Sequence, residues 1–300
     1  MMPGPENPQP LIAMKKVSLL LPLLLLPLIA LQAGGPWPQA RGKGYFKLSQ
    51  WWIIADRHFT DAGLTDPNVT NGVFTTSIYG EYGLTDRLTA IAYVPFFSRA
   101  YFNNTVSGTT GEVLIPGEAI NGLGDTDISL SYGLITGGPV VLSARIMLGL
   151  PTGIASGGSQ GNLQTGDGEF NQMLQVDAGT SFRLGNASGW ASGYIGYNNR
   201  TNGFSDELRA GLEAGITFLD QRFYALIRLF TVQSMFNGNR EDTSGGQSLF
   251  ANNAEHFSYS PEIAWNINDT WGVAASFAGA FSGRLIYANP TYSFGLYMRL

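Results

Sequence analysis

The chain has 300 residues, 44% of them hydrophobic and only 13% charged, with 39 Gly, no Cys and a formal net charge of −5. Ordinary soluble domains carry about 25% charged residues, so this composition suits water poorly, and the acidic balance excludes a basic nucleic-acid-binding face. Without cysteine there is neither a disulfide framework nor a thiolate metal site. A mean hydropathy of +0.02, with no run of about 18 apolar residues beyond residue 33, argues against a helical membrane protein.

The amino-terminal stretch reads as a secretory signal. Met14-Lys15-Lys16 supplies a positive region, residues 17–31 an apolar core interrupted by Pro22 and Pro27, and Leu31-Gln32-Ala33 a cleavage site. Residues 1–13 are Pro-rich and precede the positive region, which places the expected translation start at Met14. The expected organisation is a signal peptide over 1–33, a short periplasmic lead over 34–43 and a barrel over 44–300.

From residue 44 onward, segments of alternating apolar and polar residues recur, each roughly 10 residues long as in membrane barrel strands. They fall at 44–57, 69–84, 87–101, 124–135, 139–150, 169–184, 190–200, 207–219, 222–235, 255–267, 270–282 and 285–300. Their separators alternate. Short turns lie at 85–86, 136–138, 185–189, 220–221 and 268–269, while the longest connections run over 102–123, 152–168 and 237–254. In lipid only helices and closed barrels satisfy every backbone polar group. The pattern predicts an all-β, single antiparallel transmembrane barrel of about 12 strands, with short periplasmic turns, long extracellular loops and both termini on the periplasmic side.

Parity along each strand assigns two faces. Val140, Leu142, Ala144, Ile146 and Leu148 share one face and Arg145 the other; Leu174, Val176 and Ala178 oppose Gln175, Asp177, Ser181 and Arg183. Leu208, Ala210, Leu212, Ala214, Ile216 and Phe218 oppose Arg209, Glu213 and Thr217, and Phe223, Ala225, Ile227 and Leu229 oppose Arg228. A lipid-facing Arg or Lys would cost about 2–4 kcal/mol near the midplane, so the charged face is the lumen. The lumen-lining candidates are Glu81, Asp127, Arg145, Asp177, Arg183, Arg209, Glu213, Arg228 and Glu262. They form either a mutually paired polar filling or a conduit that selects its solute. Aromatic residues toward strand ends, including Tyr45, Trp51, Trp52, Tyr79, Tyr82, Phe96, Phe97, Tyr101, Tyr194, Tyr197, Tyr259, Trp265, Trp271, Tyr287 and Tyr297, are expected mainly in interfacial girdles.

Gly122-Leu123-Gly124-Asp125-Thr126-Asp127-Ile128-Ser129-Leu130 opens a strand, Leu148-Gly149-Leu150-Pro151-Thr152-Gly153 ends the next, and a Gly-rich loop then reaches Thr165-Gly166-Asp167-Gly168. This succession, with the turn Gly83-Leu84-Thr85-Asp86-Arg87-Leu88, resembles the family of bacterial outer-membrane barrels associated with the MetA pathway of phenol degradation. The resemblance spans about residues 83–182. It implies an outer-membrane barrel of a Gram-negative bacterium that passes small molecules, aromatic or hydrophobic compounds among them. Gly and Pro-Thr-Gly at strand ends set turns and stop pairing, which marks these motifs as fold-determining. The last strand alternates through Tyr292, Phe294, Leu296, Met298 and Leu300, ending on Leu where such barrels commonly end on an aromatic.

The expected partners are outer-membrane lipid, the barrel-insertion machinery and a small-molecule solute, with no nucleic acid and no cofactor. Other patterns carry less chemistry. His256-Phe257-Ser258 places a base and a hydroxyl on one face, as in barrel phospholipases, but Phe257 and Tyr259 turn the pair toward the lumen, and no enzyme is expected. No ligand spacing surrounds His58. Asp125-Thr126-Asp127 and Asp167-Gly168-Glu169 lack a full calcium shell and read as solvated loop acids.

Overall fold

The computed structural model describes residues 35–68, 70–241 and 248–300. The expected signal sequence over 1–33, with its start at Met14, lies outside them. Among the described residues, twelve long strands form the wall: β1 Gly44–Ala55, β2 Asn71–Gly83, β3 Leu88–Phe102, β4 Thr126–Ile135, β5 Val141–Leu150, β6 Asn171–Leu184, β7 Ala187–Asn199, β8 Glu207–Phe218, β9 Phe223–Ser234, β10 Glu255–Asn266, β11 Trp271–Arg284 and β12 Thr291–Arg299. Each pairs antiparallel with its sequence neighbours, and β12 closes on β1 from Tyr45↔Arg299 to Ile53↔Thr291. Closure leaves no free strand edge in the ring. The all-β, twelve-strand antiparallel barrel read from periodicity is the observed fold.

Burial follows strand parity, because successive side chains point to opposite faces. Leu212 is 65% exposed on the outward face of β8, whereas Tyr297 is 1% exposed on the inner face of β12. Leu48, Ile78, Leu130, Ile146, Leu174, Ile195, Ile263 and Phe294 continue the outward apolar band. Turns are tight on one rim: Leu219, Asp220 and Gln221 all adopt positive φ (51°, 54° and 64°) in the connection from β8 to β9. Both ends of the barrel domain lie on this short-turn rim, where Leu300 N donates to Gly44 O at 2.9 Å.

Three boundaries differ from the periodic reading. The expected strand over 285–300 is divided: β11 runs to Arg284, Leu285 turns at φ 54°, and Ile286–Tyr287 leaves the wall to pair with His58–Phe59. The long connection after β3 is not irregular throughout, since Glu118–Gly122 pairs with the upper end of β3 and Thr105–Val106 pairs with Val113–Ile115. The lead expected over 34–43 folds into the short-turn end of the barrel from Gly35 onward; Pro36 is fully buried there.

The aromatic expectation also needs correction. Trp52, Tyr82, Phe96, Phe97, Tyr197, Trp265 and Trp271 do lie outward, but Tyr45 and Tyr297 are buried inside and stack at 5.5 Å. Tyr79 bonds Glu81, and Trp51 donates to Tyr93 at 3.3 Å. These rings follow the parity of Lys47, Glu81 and Arg299, so position along the strand outweighs residue type.

Candidate functional site: the barrel interior

The inner faces build three layers along the barrel axis. Nearest the short turns is a packed floor. In β8 and β9, Glu213 and Arg228 are register partners, and Arg228 Nε meets Glu213 Oε2 at 2.7 Å. Arg228 also reaches Glu262 Oε2 at 3.3 Å, and Lys47 Nζ approaches the same oxygen at 3.3 Å. Trp190 Nε1 donates to Glu213 Oε1 at 2.7 Å. Across the lumen Arg145 lies 3.8 Å from Asp177, which accepts from Gln175 Nε2 at 2.6 Å. Opposite charges at these spacings compensate one another's desolvation only with further hydrogen bonds; the Lys47–Glu262–Arg228–Glu213 group has them, whereas Arg145 Nε and Asp177 Oδ2 are buried without a hydrogen-bond partner among the described residues.

The amino-terminal segment completes the floor. Gln39 Nε2 donates to Glu81 Oε2 at 2.8 Å, Gln39 N to Thr89 Oγ1 at 2.9 Å, and Arg145 Nη2 to Gly35 O at 3.4 Å. Close approach requires glycine on the wall. A Cβ on Gly179 of β6 would lie 2.6 Å from the Trp37 ring and 2.7 Å from Pro36, and one on Gly133 of β4 would lie 2.6 Å from Pro38.

Above the floor lies a cavity of about 500 Å³. Trp51, Tyr93, Phe230, Val232 and Phe250 give it apolar walls, while Asp125, Asp127, Asp167, Arg200, Glu207, Arg209, His256 and Ser258 supply polar and charged ones. His256 Nδ1 lies 3.0 Å from Ser258 Oγ, and its ring meets Phe230 edge-on at 5.5 Å. A concave site of this size with both apolar and polar walls suits a small molecule.

The third layer is a lid of outer loops. Asp125 accepts from Gly153 N at 2.9 Å and Asp167 N at 2.7 Å. Thr152 Oγ1 donates to Gly124 O and Thr165 Oγ1 to Leu123 O, both at 2.6 Å. The motifs at 122–130, 148–153 and 165–168 thus meet one another, pinning the loop after β5 across the mouth. Leu163 from that loop is buried against Ile53, Ala55, Val73, Ala100 and Tyr287, with Leu249 alongside. Ser248 Oγ joins the two loops through Gln164 Oε1 at 2.6 Å.

Beside this lid sits Arg200, absent from the sequence-derived set. Its guanidinium pairs with Glu169, with Glu207 at 2.6 Å and with Asp167 at 3.4 Å, and it lies 4.3 Å from the centre of the Phe204 ring. Asp167 and Glu169 are therefore buried members of a charge cluster and not solvated loop acids; Glu169 is 1% exposed. Burial raises Glu169 to about 7, with Arg200 opposing the shift, and raises Asp125 to about 6 against its backbone hydrogen bonds. The inward parity of Asn198 and Arg200 at the end of β7 was the available signal.

Of the sequence-derived residues, Glu81, Arg145, Asp177, Glu213, Arg228 and Glu262 meet in the floor, and Asp127 and Arg209 line the cavity, with Arg209 held by Glu207 at 2.6 Å. Arg183 joins neither group and is exposed beside the Gly185 turn. Lys47, Trp190 and Tyr297 belong to the floor as well. Among the described residues no cluster of three or more His, Cys, Asp or Glu side chains is arranged to hold a metal ion.

No family model and no curated protein matches the chain. Solved structures do. The COG4313 outer membrane channel from Pseudomonas putida F1 superimposes with a TM-score of 0.58 at 15% identity, covering 90% of this chain and 99% of that one. LpxR from Salmonella typhimurium (TM-score 0.47, 6% identity, 85% and 99% covered) and the KdgM porin in complex with disordered oligogalacturonate (0.42, 6%, 85% and 98%) are more distant barrels. At these identities the likeness is one of fold: the chain shares the architecture of an outer-membrane β-barrel over 90% of its length.

Proposed function

We propose that this chain is an outer-membrane channel for the passive passage of small molecules, with aromatic or hydrophobic compounds as its preferred cargo. The observation that carries this reading is the cavity of about 500 Å³ between floor and lid, walled by Trp51, Tyr93, Phe230 and Phe250 and marked by Asp127, Arg209, His256 and Ser258. The resemblance to barrels of the phenol-degradation MetA pathway supports the same solute class. The outward apolar band fits outer-membrane lipid, and the alternating last strand fits recognition by the insertion machinery of a Gram-negative cell. The floor is then a gate on the periplasmic side, closed by the segment 35–43.

Conductance in planar bilayers and solute flux into liposomes test the reading. The full chain is expected to conduct weakly, and deletion of residues 35–41 to raise conductance several-fold. Absence of both conductance and flux for ions, sugars and aromatics in both proteins would overturn it. The packed Lys47–Glu262–Arg228–Glu213 network favours a second reading, a closed barrel whose outer loops bind an external partner; that reading survives only if the deletion leaves conductance at zero. A lipid hydrolase using His256 and Ser258 is a remote third, since both side chains face the interior, and unchanged lipid composition with Ser258→Ala would remove it.

A further inference from the structure

We infer that apolar solutes leave the cavity sideways, between β10 and β11, into the surrounding lipid. The inference rests on the channel reading and adds a route and a solute class to it. Between β10 and β11 the pairing passes from Tyr259↔Gly279 to Glu262↔Ser276 with no pair at Ser260 or Pro261. Those two residues are paired on their other side, to Arg228 and Ile227 of β9, and Phe277 and Ala278 are paired to Tyr292 and Thr291 of β12. The break is confined to one seam. Pro261 accounts for it, because proline has no N–H to give the ladder, and a bulge between Phe257 and Ser258 disturbs the same seam nearer the outer rim.

This break adjoins the cavity. Ser258, Ala278 and Ala280 line the cavity wall there, together with the backbone of Gly279. A Cβ on Gly279 would lie 2.8 Å from the hydroxyl of Tyr259 on the outward face. One backbone thickness therefore separates the cavity from an outward aromatic ring. On that outward face Tyr259 packs against Phe281 at 4.6 Å and edge-on against Phe277 at 6.1 Å, so three rotatable rings cover the point where an otherwise in-register ladder lacks the bond that Pro261 cannot donate. The irregularity at Pro95 between β3 and β4 differs. Gly124 N bonds Pro95 O across it at 2.8 Å, and Thr152 and Thr165 fix the adjoining backbone to the lid.

A solute moving through the β10–β11 seam enters hydrocarbon, where a charge is strongly penalised. The class is accordingly uncharged, apolar molecules of about one or two rings, small enough for a cavity of about 500 Å³.

The chain has no cysteine, so Ser260→Cys combined with Ala278→Cys can lock the seam by oxidation on a clean background. The readouts are uptake of N-phenyl-1-naphthylamine by cells producing the full chain, against cells lacking it, and ion conductance of the purified protein. Dye uptake is expected to be several-fold faster with the parent chain, to fall to the background rate in the oxidised double variant and to recover with dithiothreitol, while oxidation lowers conductance by a much smaller factor than it lowers dye uptake, Ala278 being part of the cavity wall. Pro261→Val, which returns an N–H to the ladder, is expected to slow dye uptake several-fold at unchanged conductance. The lateral route is overturned if the parent does not accelerate dye uptake, if neither change affects uptake, or if uptake and conductance fall by the same factor. A parent chain without conductance or solute flux overturns the channel reading instead.

Discussion

Glu262 holds Lys47 and Arg228 on one buried carboxylate whose side chain is 6% exposed. Removing it takes the carboxylate from Lys47 in a poorly hydrated floor and leaves Arg228 to Glu213 alone, and breaking such a network by deleting one partner typically costs about 3–5 kcal/mol. Arg228 is 37% exposed, so solvent screens part of this and the lower end applies: Glu262→Ala is expected to lose about 3 kcal/mol in urea unfolding from lipid bilayers. Glu262→Gln is expected to lose less, because an acceptor oxygen remains. The pairing of Glu213 with Arg228 was within reach of the sequence, since both sit on inward parity in strands joined by a two-residue turn signal. Arg200 was not singled out, because its partners come from a loop and from neighbouring β8, and no strand pattern links Asp167 and Glu169 to it. The chemistry of Tyr45, Tyr79 and Tyr297 suits an interfacial girdle, but their parity matches inward Lys47, Glu81 and Arg299, and parity decides.

The segment over 35–43 and the lid are the elements that periodicity could not describe, because neither is a long strand and each is held by contacts distant in sequence. Gly179 tests the first. A Cβ there already meets Trp37 at 2.6 Å, so Gly179→Leu is expected to expel the segment while leaving β6 paired. Single-channel conductance should rise several-fold, approaching that of the 35–41 deletion; an unchanged conductance would place the constriction elsewhere. Glu169 tests the lid. Its carboxyl is raised from 4.5 to about 7 by burial, so the folded lid binds the proton more tightly than the open one. That contribution to lid stability is fully present below pH 4.5 and is lost as pH rises to about 7. Protection factors for amides in residues 151–168 are expected to fall between pH 5 and pH 8, and Glu169→Gln is expected to reduce the dependence to the part that Asp125, raised to about 6, contributes.

At the scale of the whole molecule, one wall serves two solvents, and the same two-residue period that organises the floor sets what may face outward. Closure of β12 on β1 makes the outward band continuous around the barrel, with every ring strand paired on both sides, so a change of face at one residue cannot be absorbed by an edge. Leu212 and Glu213 are adjacent in β8 with opposite faces; Leu212 is 65% exposed, while Glu213 is held by Arg228 and Trp190. Leu212→Arg puts a guanidinium into hydrocarbon and is expected to cost about 2–4 kcal/mol. Glu213→Gln, one position away, is expected to cost less than Leu212→Arg despite touching the ion-pair network, because the lumen is polar and its partners keep an acceptor. Folding free energies of the two variants in phospholipid bilayers decide the matter. Detergent micelles should narrow the gap, since a micelle deforms around a charge more readily than a bilayer does. Equal losses in bilayers would mean that β8 does not present Leu212 to lipid, and with that the assignment of faces around the ring would fail.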